Sequence, residues 1–463
     1  MSNSTNFFFR NRDEKPSKFF FISWLPKIYF STLELLKKAS LEGAIKQYNY
    51  ELNDAITMCQ LQNLNKKIIK KLEDREGYEK QQNQEIIRTN VTKIINNCIN
   101  VANNVSVEVG EVLNEICKCL QQLDLTLINS NDLIASGILD ICEGADNVMD
   151  TLPTKTKQVL TNFKLSEQEF PKDVKTMLDE FINIYDPQNS NSDPALAGPI
   201  TFPQNESNLS IRRTLLTTFD LLEGLRNCWN LTPSLTEGEY SETSYTIHSV
   251  SRIIDPIFNY YNLKLKRSWE QVSNSSRDRK ESMGSIHYGD RPDFQILLIL
   301  DSIEWESVFA EISRLDPRPD KQDHDWKKLN RLCKDGFDAR FNELFKGKDV
   351  ENNETKCLIN ELHQFPFIGI QVIDNRILVF GIDYYNNSFY RSFKICEFYI
   401  PLTISNYQVV ENFLKSSLKV KYYLEGLFND FVRIKDKIDR LPTIVEVVED
   451  EKSQSFMSLS TTY

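Results

Sequence analysis

A chain of 463 residues with 40% hydrophobic and 11% aromatic residues holds enough apolar mass for one large domain or two, which excludes a wholly disordered protein. A formal net charge of −11 excludes a molecule coated in positive charge, so any contact with nucleic acid must come from a local basic surface. Nine cysteines, an odd number with no CxxC pair, fit a reducing interior and exclude a regular disulfide framework.

Residues 1–18 are polar and are expected to form a disordered tail. The apolar run Phe19–Leu25, closed by Pro26, is too short to span a membrane and lacks a small-residue cleavage site. An intracellular protein, cytoplasmic or nuclear and without membrane contact, is therefore expected. Residues 19–183 form a helical pattern, expected to be an interaction domain. Within it Val91, Ile95, Cys98, Ala102, Val105, Val109, Val112, Ile116, Cys119 and Leu123 recur at steps of four and three, the spacing of a seam on one side of a helix. β-Branched residues and Gly110 argue against one unbroken helix. The seam suits an intramolecular bundle, or association with a protein partner or a second copy.

Pro187, Pro194, Pro199 and Pro203 among Asn and Ser mark residues 184–210 as a linker. Beyond it, residues 211–440 are expected to fold as one domain. A helix is predicted over 211–228, then a second with Thr236 and Glu239 in capping-box spacing, running through Glu242, Tyr245 and Val250 toward Pro256. Strands are predicted over 292–300 and 306–315, a helix over 325–345, and strands over 366–373, 376–383 and 389–401. This order gives an α+β or α/β fold with a mixed sheet flanked by helices. The acidic, then Ser-rich stretch 441–463 is expected to be a second tail.

Two hydrophobic strands each keep an acid, Asp293 near the start of the first and Glu311 near the end of the second. With a three-residue hairpin loop at Asp301, Ser302 and Ile303, residues whose numbers sum to 604 face one another, which sets Asp293 opposite Glu311. A slip of one residue would turn the acids to opposite faces. Two close carboxylates repel unless a cation lies between them, and a hard divalent ion such as Mg²⁺ or Mn²⁺ is the usual remedy. An acid from the preceding helix, Glu242 before Glu239, is placed to complete such a site. Solvated strand ends are the plain alternative.

A helix bearing Glu242, then Pro292-Asp293 opening a strand, then Glu311-Ile312-Ser313 on its partner, then another helix, resembles the core of the PD-(D/E)XK, or restriction-endonuclease-like, nuclease superfamily. "SWEQVSNSSRDRK", "GDRPDF", "EISRLDPRP" and "DHDWKKLNRLCKDGFD" are together similar to a group of uncharacterised fungal proteins sharing that core, over about residues 235–400. The resemblance implies Mg²⁺ or Mn²⁺ held by Asp293, Glu311 and the carbonyl of Ile312, and hydrolysis of phosphodiesters. Ser313 departs from the pattern, standing where the family has a lysine. Arg291, opposite Ser313 in the same register, and Lys327, Lys328 or Lys334, on the following helix, are candidates to supply the charge, with Lys328 named for the catalytic set.

Lys264, Lys266, Arg267, Arg277, Arg279 and Lys280, with Trp269 among them, precede the first acid strand and are candidates to bind DNA or RNA. A solvated basic loop is the alternative, in which Ser273, Ser275 and Ser276 offer hydroxyls for phosphorylation. The four histidines show no zinc spacing. Three functions stand: a Mg²⁺-dependent nuclease, a catalytically silent interaction or effector protein on the same fold, and a scaffold acting through the N-terminal helices.

Overall fold

The computed structural model of the chain describes residues 66–128, 132–142, 152–163, 165, 170–185, 200–203, 206–231, 234–235, 240–282, 289–314 and 319–443. Two compact units divide it, Met1–Thr89 and Asn90–Tyr463, and the first is described only within helix α1 (Lys66–Ala102). The fold described below is that of the second unit. The tail at 1–18, the capping box at Thr236 and Glu239, most of the linker and residues 444–463 lie outside the described residues. Leu441, expected in the C-terminal tail, is buried, and Thr443 bridges to Lys348.

The chain turns at residues 103–106, so the seam does not run on as one helix. α2 (Val107–Gln122) packs back on α1, with Cys117 Sγ donating to Ile95 O at 3.5 Å. Gly110 makes this approach possible, because a Cβ there would lie 2.7 Å from Ala102 O. Val91, Cys98, Val112 and Ile116 of the seam are buried.

Residues 138–140, inside the region expected to be all helical, form strand β1 (Ile138–Asp140), which pairs in parallel with the last strand of the sheet. Helices α3 (Thr154–Thr161), α4 (Lys172–Ile184) and α5 (Leu209–Trp229) follow, the last capped by the Asn208 side chain. Glu242–Tyr245 (α6) continues through a π turn at Thr246–Val250 into α7 (Ser251–Ile257), which holds Pro256 inside it and ends one residue later. Then come β2 (Leu265–Trp269), α8 (Asn274–Ser282), β3 (Phe294–Leu300), β4 (Ile303–Ser313), α9 (Pro319–Phe345), α10 (Asn353–His363), β5 (Phe367–Ile373), β6 (Arg376–Tyr385), β7 (Phe389–Tyr399) and α11 (Tyr407–Asp439).

The seven strands make one mixed sheet in the order β1-β7-β6-β5-β4-β3-β2. The β4–β5 and β1–β7 pairs are parallel and the rest antiparallel. α9 covers one face, with Trp326 against Phe380 and Cys333 donating to Ile368 O. α11 covers the other, with Phe431 against Trp305 and Phe413 against Phe398. With both faces buried, β3 and β5 are near-continuous apolar runs, and each fully buried Phe, Ile or Leu contributes about 1.5–3 kcal/mol. β1, β2, α8, α10 and α11 had no place in the sequence reading. The apolar stripe of α11, including Val410, Phe413, Leu414, Leu424, Phe431 and Ile438, has helical spacing.

The hairpin that carries the two acids differs from expectation in its turn. Leu300 pairs with Ile303, leaving a two-residue loop of Asp301 and Ser302. Both have positive φ, 50° and 68°, as a type I′ turn requires. From the turn to Leu297↔Glu306 the paired numbers sum to 603; beyond a bulge at Ser307, from Ile296↔Val308 to Phe294↔Ala310, they sum to 604. The bulge adds the residue that the shorter turn omits. The last pair, Phe294↔Ala310, therefore falls in the expected register by a different route, with Asp293 directly before it in the chain.

Candidate functional site

Asp293 and Glu311 share the sheet face covered by α9. Asp293 N–H, just before β3, donates to Ala310 O at 3.0 Å, and its Oδ2 accepts the backbone N–H of Ile312 at 2.7 Å. The Ile312 amide, whose carbonyl was expected among the metal ligands, thus binds Asp293 through its N–H. Glu311 is 3% exposed, and its Oε1 lies 2.7 Å from Lys328 Nζ. Lys328 Nζ also donates to the carbonyl of Arg291 at 2.8 Å.

Of the lysines proposed to replace the missing one, Lys328 alone pairs with a site acid. Lys327 pairs with Asp132 and Asp323, and Lys334 with Asp338. Arg291 contributes its carbonyl, and the residue is exposed. Glu242, the first residue of α6, bonds Lys321. Ser313 is 1% exposed and donates its hydroxyl to Asp325 Oδ2 at 2.9 Å, and Asp325 lies 3.9 Å from Lys321 Nζ. Asp325 is thus a fourth acid of the cluster, which the sequence reading did not single out. Its position three residues before Lys328 on one helix was the available signal.

Burial drives the electrostatics. Desolvation pushes Glu311 well above the usual carboxylate range, against the pull of Lys328, and the Asp293 and Asp325 charges raise it further. Burial likewise raises Asp293, opposed by the Ile312 N–H and Lys328 and reinforced by Glu242 and Asp325. Burial alone would lower Lys328, but Glu311 beside it, with Asp293 and Asp290 behind, leaves it raised.

The basic residues before β3 divide between the faces of the sheet. Arg267 pairs with Ile296 in the ladder and Lys266 with Leu297, so their side chains point to opposite sides. Arg267 bonds Asn259 Oδ1 at 2.6 Å and lies 3.9 Å from Asp255, while Lys266 pairs with Glu304. Trp269 packs on Phe294, ring centroids 4.6 Å apart. Lys264 accepts the Ile299 N–H through its carbonyl. On α8, Arg277 faces Asp278 and Glu281, Arg279 binds the buried Asp335 at 2.8 Å, and Lys280 binds Asp290 at 2.7 Å. Arg279 and Lys280 thereby lie beside the acidic site, whereas Arg267 and Trp269 belong to the other face.

The Ser-rich stretch is structure, not a solvated loop. Ser273, Ser275 and Ser276 are 0%, 4% and 0% exposed. Glu306, the residue before the bulge, accepts the N–H groups of Asn274 and Ser275 at 2.6 and 3.1 Å, closing the N-terminus of α8 from the neighbouring strand. Burial withdraws these hydroxyls from any modifying enzyme, which corrects the phosphorylation expectation.

Two strand carboxylates offer a hard-oxygen donor pair, which suits an ion that keeps most of its water shell. Among the described residues no group of three or more His, Cys, Asp or Glu is placed to hold a metal ion. Nor is any described helix long and apolar enough to cross a membrane. No family model, curated protein or solved structure matches the chain.

Proposed function

We propose that the chain is a Mg²⁺-dependent phosphodiesterase that cuts nucleic acid, with the ammonium of the resembled core carried on helix α9 by Lys328 instead of on strand β4. The observation that carries this reading is the 2.7 Å contact between Lys328 Nζ and the buried Glu311 beside Asp293. Asp293 and Glu311 are the residues to hold the ion, with Glu242 nearby for an outer water. Bound there, Mg²⁺ supplies Lewis acidity and an activated water. Lys328 stabilises charge that develops on the phosphoryl oxygens, the role that a serine hydroxyl at 313 does not fill. The Ile312 N–H holds Asp293 in place, and the Arg291 carbonyl holds Lys328. Arg279 and Lys280 stand beside the site, each paired with an acid, Asp335 and Asp290.

The test is incubation of the full chain with single- and double-stranded DNA and RNA in Mg²⁺, Mn²⁺ or EDTA. Metal-dependent cutting, abolished by Asp293→Asn, Glu311→Gln and Lys328→Met, is the expected result. A second reading, a silent nucleic-acid binder, draws on the same contact, because Lys328 already neutralises Glu311 without a metal. It predicts salt-sensitive binding with no cutting in any metal.

A further inference from the structure

The serine at the lysine position has a partner of its own. Glu311 and Ser313 are two apart on β4 and share a strand face; Asp325 and Lys328 are three apart on α9 and share a helix face. Two strand residues advance about 6.6 Å and three helix residues about 4.5 Å, so the pairs Glu311–Lys328 and Ser313–Asp325 run side by side between the same two elements. The hydroxyl of Ser313 donates to Asp325 Oδ2 at 2.9 Å, a bond to a charged acceptor inside the protein.

The start of α9 is held on this side by two more contacts: Gln371 Nε2, on the strand beside Glu311, donates to Gln322 O at 3.4 Å, and Lys321 bonds Glu242. Different groups hold α9 elsewhere. Trp326 Nε1 donates to Asp140 Oδ2 at 2.7 Å, and Lys327 reaches Asp132 at 3.1 Å. The Ser313 bond is therefore not what docks the helix as a whole; it is a contact on the face that looks into the site.

We propose that Ser313 is a positioning residue: through Asp325 it fixes the face of α9 that presents Lys328 to Glu311. The strand position that supplies no ammonium thus anchors the helix that does. This inference deepens the nuclease reading and rests on it for its catalytic consequence.

The experiment uses the full chain with Ser313→Ala, Ser313→Thr and Asp325→Ala, and two readouts. The first is the rate at which an acetylating N-hydroxysuccinimide ester modifies Lys328, followed by peptide mass spectrometry with Lys327 as the internal reference. Ser313→Ala and Asp325→Ala are expected to raise Lys328 modification several-fold with Lys327 unchanged, and Ser313→Thr, which keeps the donor, to restore the wild-type rate. The second is cutting of single-stranded DNA in Mn²⁺. Here kcat is expected to fall roughly ten- to a hundredfold at constant KM, the scale of a misplacement of about 1 Å.

Lys328 modification unmoved by both alanine variants overturns the inference, as does raised modification with unaltered kcat. A wild-type chain that cuts no nucleic acid sinks the nuclease reading and removes the catalytic consequence with it. The acetylation rate is read without any activity, so the two failures remain distinguishable.

Discussion

The ammonium of Lys328 lies 2.7 Å from the carboxylate of Glu311, joining helix α9 to strand β4 across a site that is 4% exposed on the acid's side. One partner cannot be removed without leaving the other charge stranded in a region of low dielectric. Lys328→Met is expected to destabilise the fold by about 3–5 kcal/mol, the cost of a broken buried pair. Adding Glu311→Gln should return most of that loss, because the carboxylate that Lys328 neutralised is then removed with it. Urea unfolding of the two single variants and the double variant checks the coupling, and additive losses would contradict it.

Arg279 carries a related prediction of a different kind. Its partner Asp335 has a fully buried side chain, with its carboxyl pushed up to about 6 by burial against the pull of Arg279. Arg279→Met should cost several kcal/mol of stability at neutral pH. Because Asp335 can then protonate, the deficit should shrink as pH falls toward 5. Unfolding midpoints at pH 7.5 and pH 5 measure this, and an equal deficit at both values would refute it.

His363 gives a pH dependence of opposite origin. The ring is buried, stacks on Phe341, bonds Asn387 through Nδ1, and has no hydrogen-bond partner at Nε2 among the described residues. Burial pulls it down to about 4 from an ordinary 6.5. The unfolded chain therefore takes up this proton first: stability is intact above about pH 6.5 and declines as pH drops toward 4, by about 3 kcal/mol over the window. His363→Phe should flatten that part of the profile. Midpoints of wild type and variant at pH 7 and pH 4.5 supply the comparison.

Gly369, in the centre of β5, tests the packing of the sheet. A Cβ there would lie 2.1 Å from the ring of Phe380 on the neighbouring strand. Gly369→Ala should destabilise by about 1–3 kcal/mol through displacement of that ring, and Phe380→Leu in the same chain should recover part of the loss. Thermal melts of the three proteins decide it.

The sequence made the acid hairpin, α9 and the strands β5 to β7 legible because long apolar runs bounded by Asn, Asp and Gly leave little choice of element. The register at Phe294↔Ala310 came out as expected although the turn did not, since the bulge at Ser307 cannot be seen in an apolar run. β2 was opaque because "LKRSW" puts two charges on an edge strand whose faces alternate between ion pairs and core. β1 has only three residues, and its place beside β7 is fixed by contacts more than 200 positions away in the chain. Most of the linker at 184–210 lies outside the described residues; α4 before it and α5 after it both fall within the unit Asn90–Tyr463.

The odd residue at Ser307 sets the phase of everything downstream on its strand. A hairpin of this kind keeps Glu311 toward α9 whether its extra residue sits at the tip or in the ladder. With an extra residue at both places, or at neither, the acid rotates into the hydrophobic layer beneath α11. Insertions and deletions around residues 301–307 are therefore tolerable only in compensating pairs, which makes length in this short stretch, more than identity, the variable that keeps Glu311 against α9.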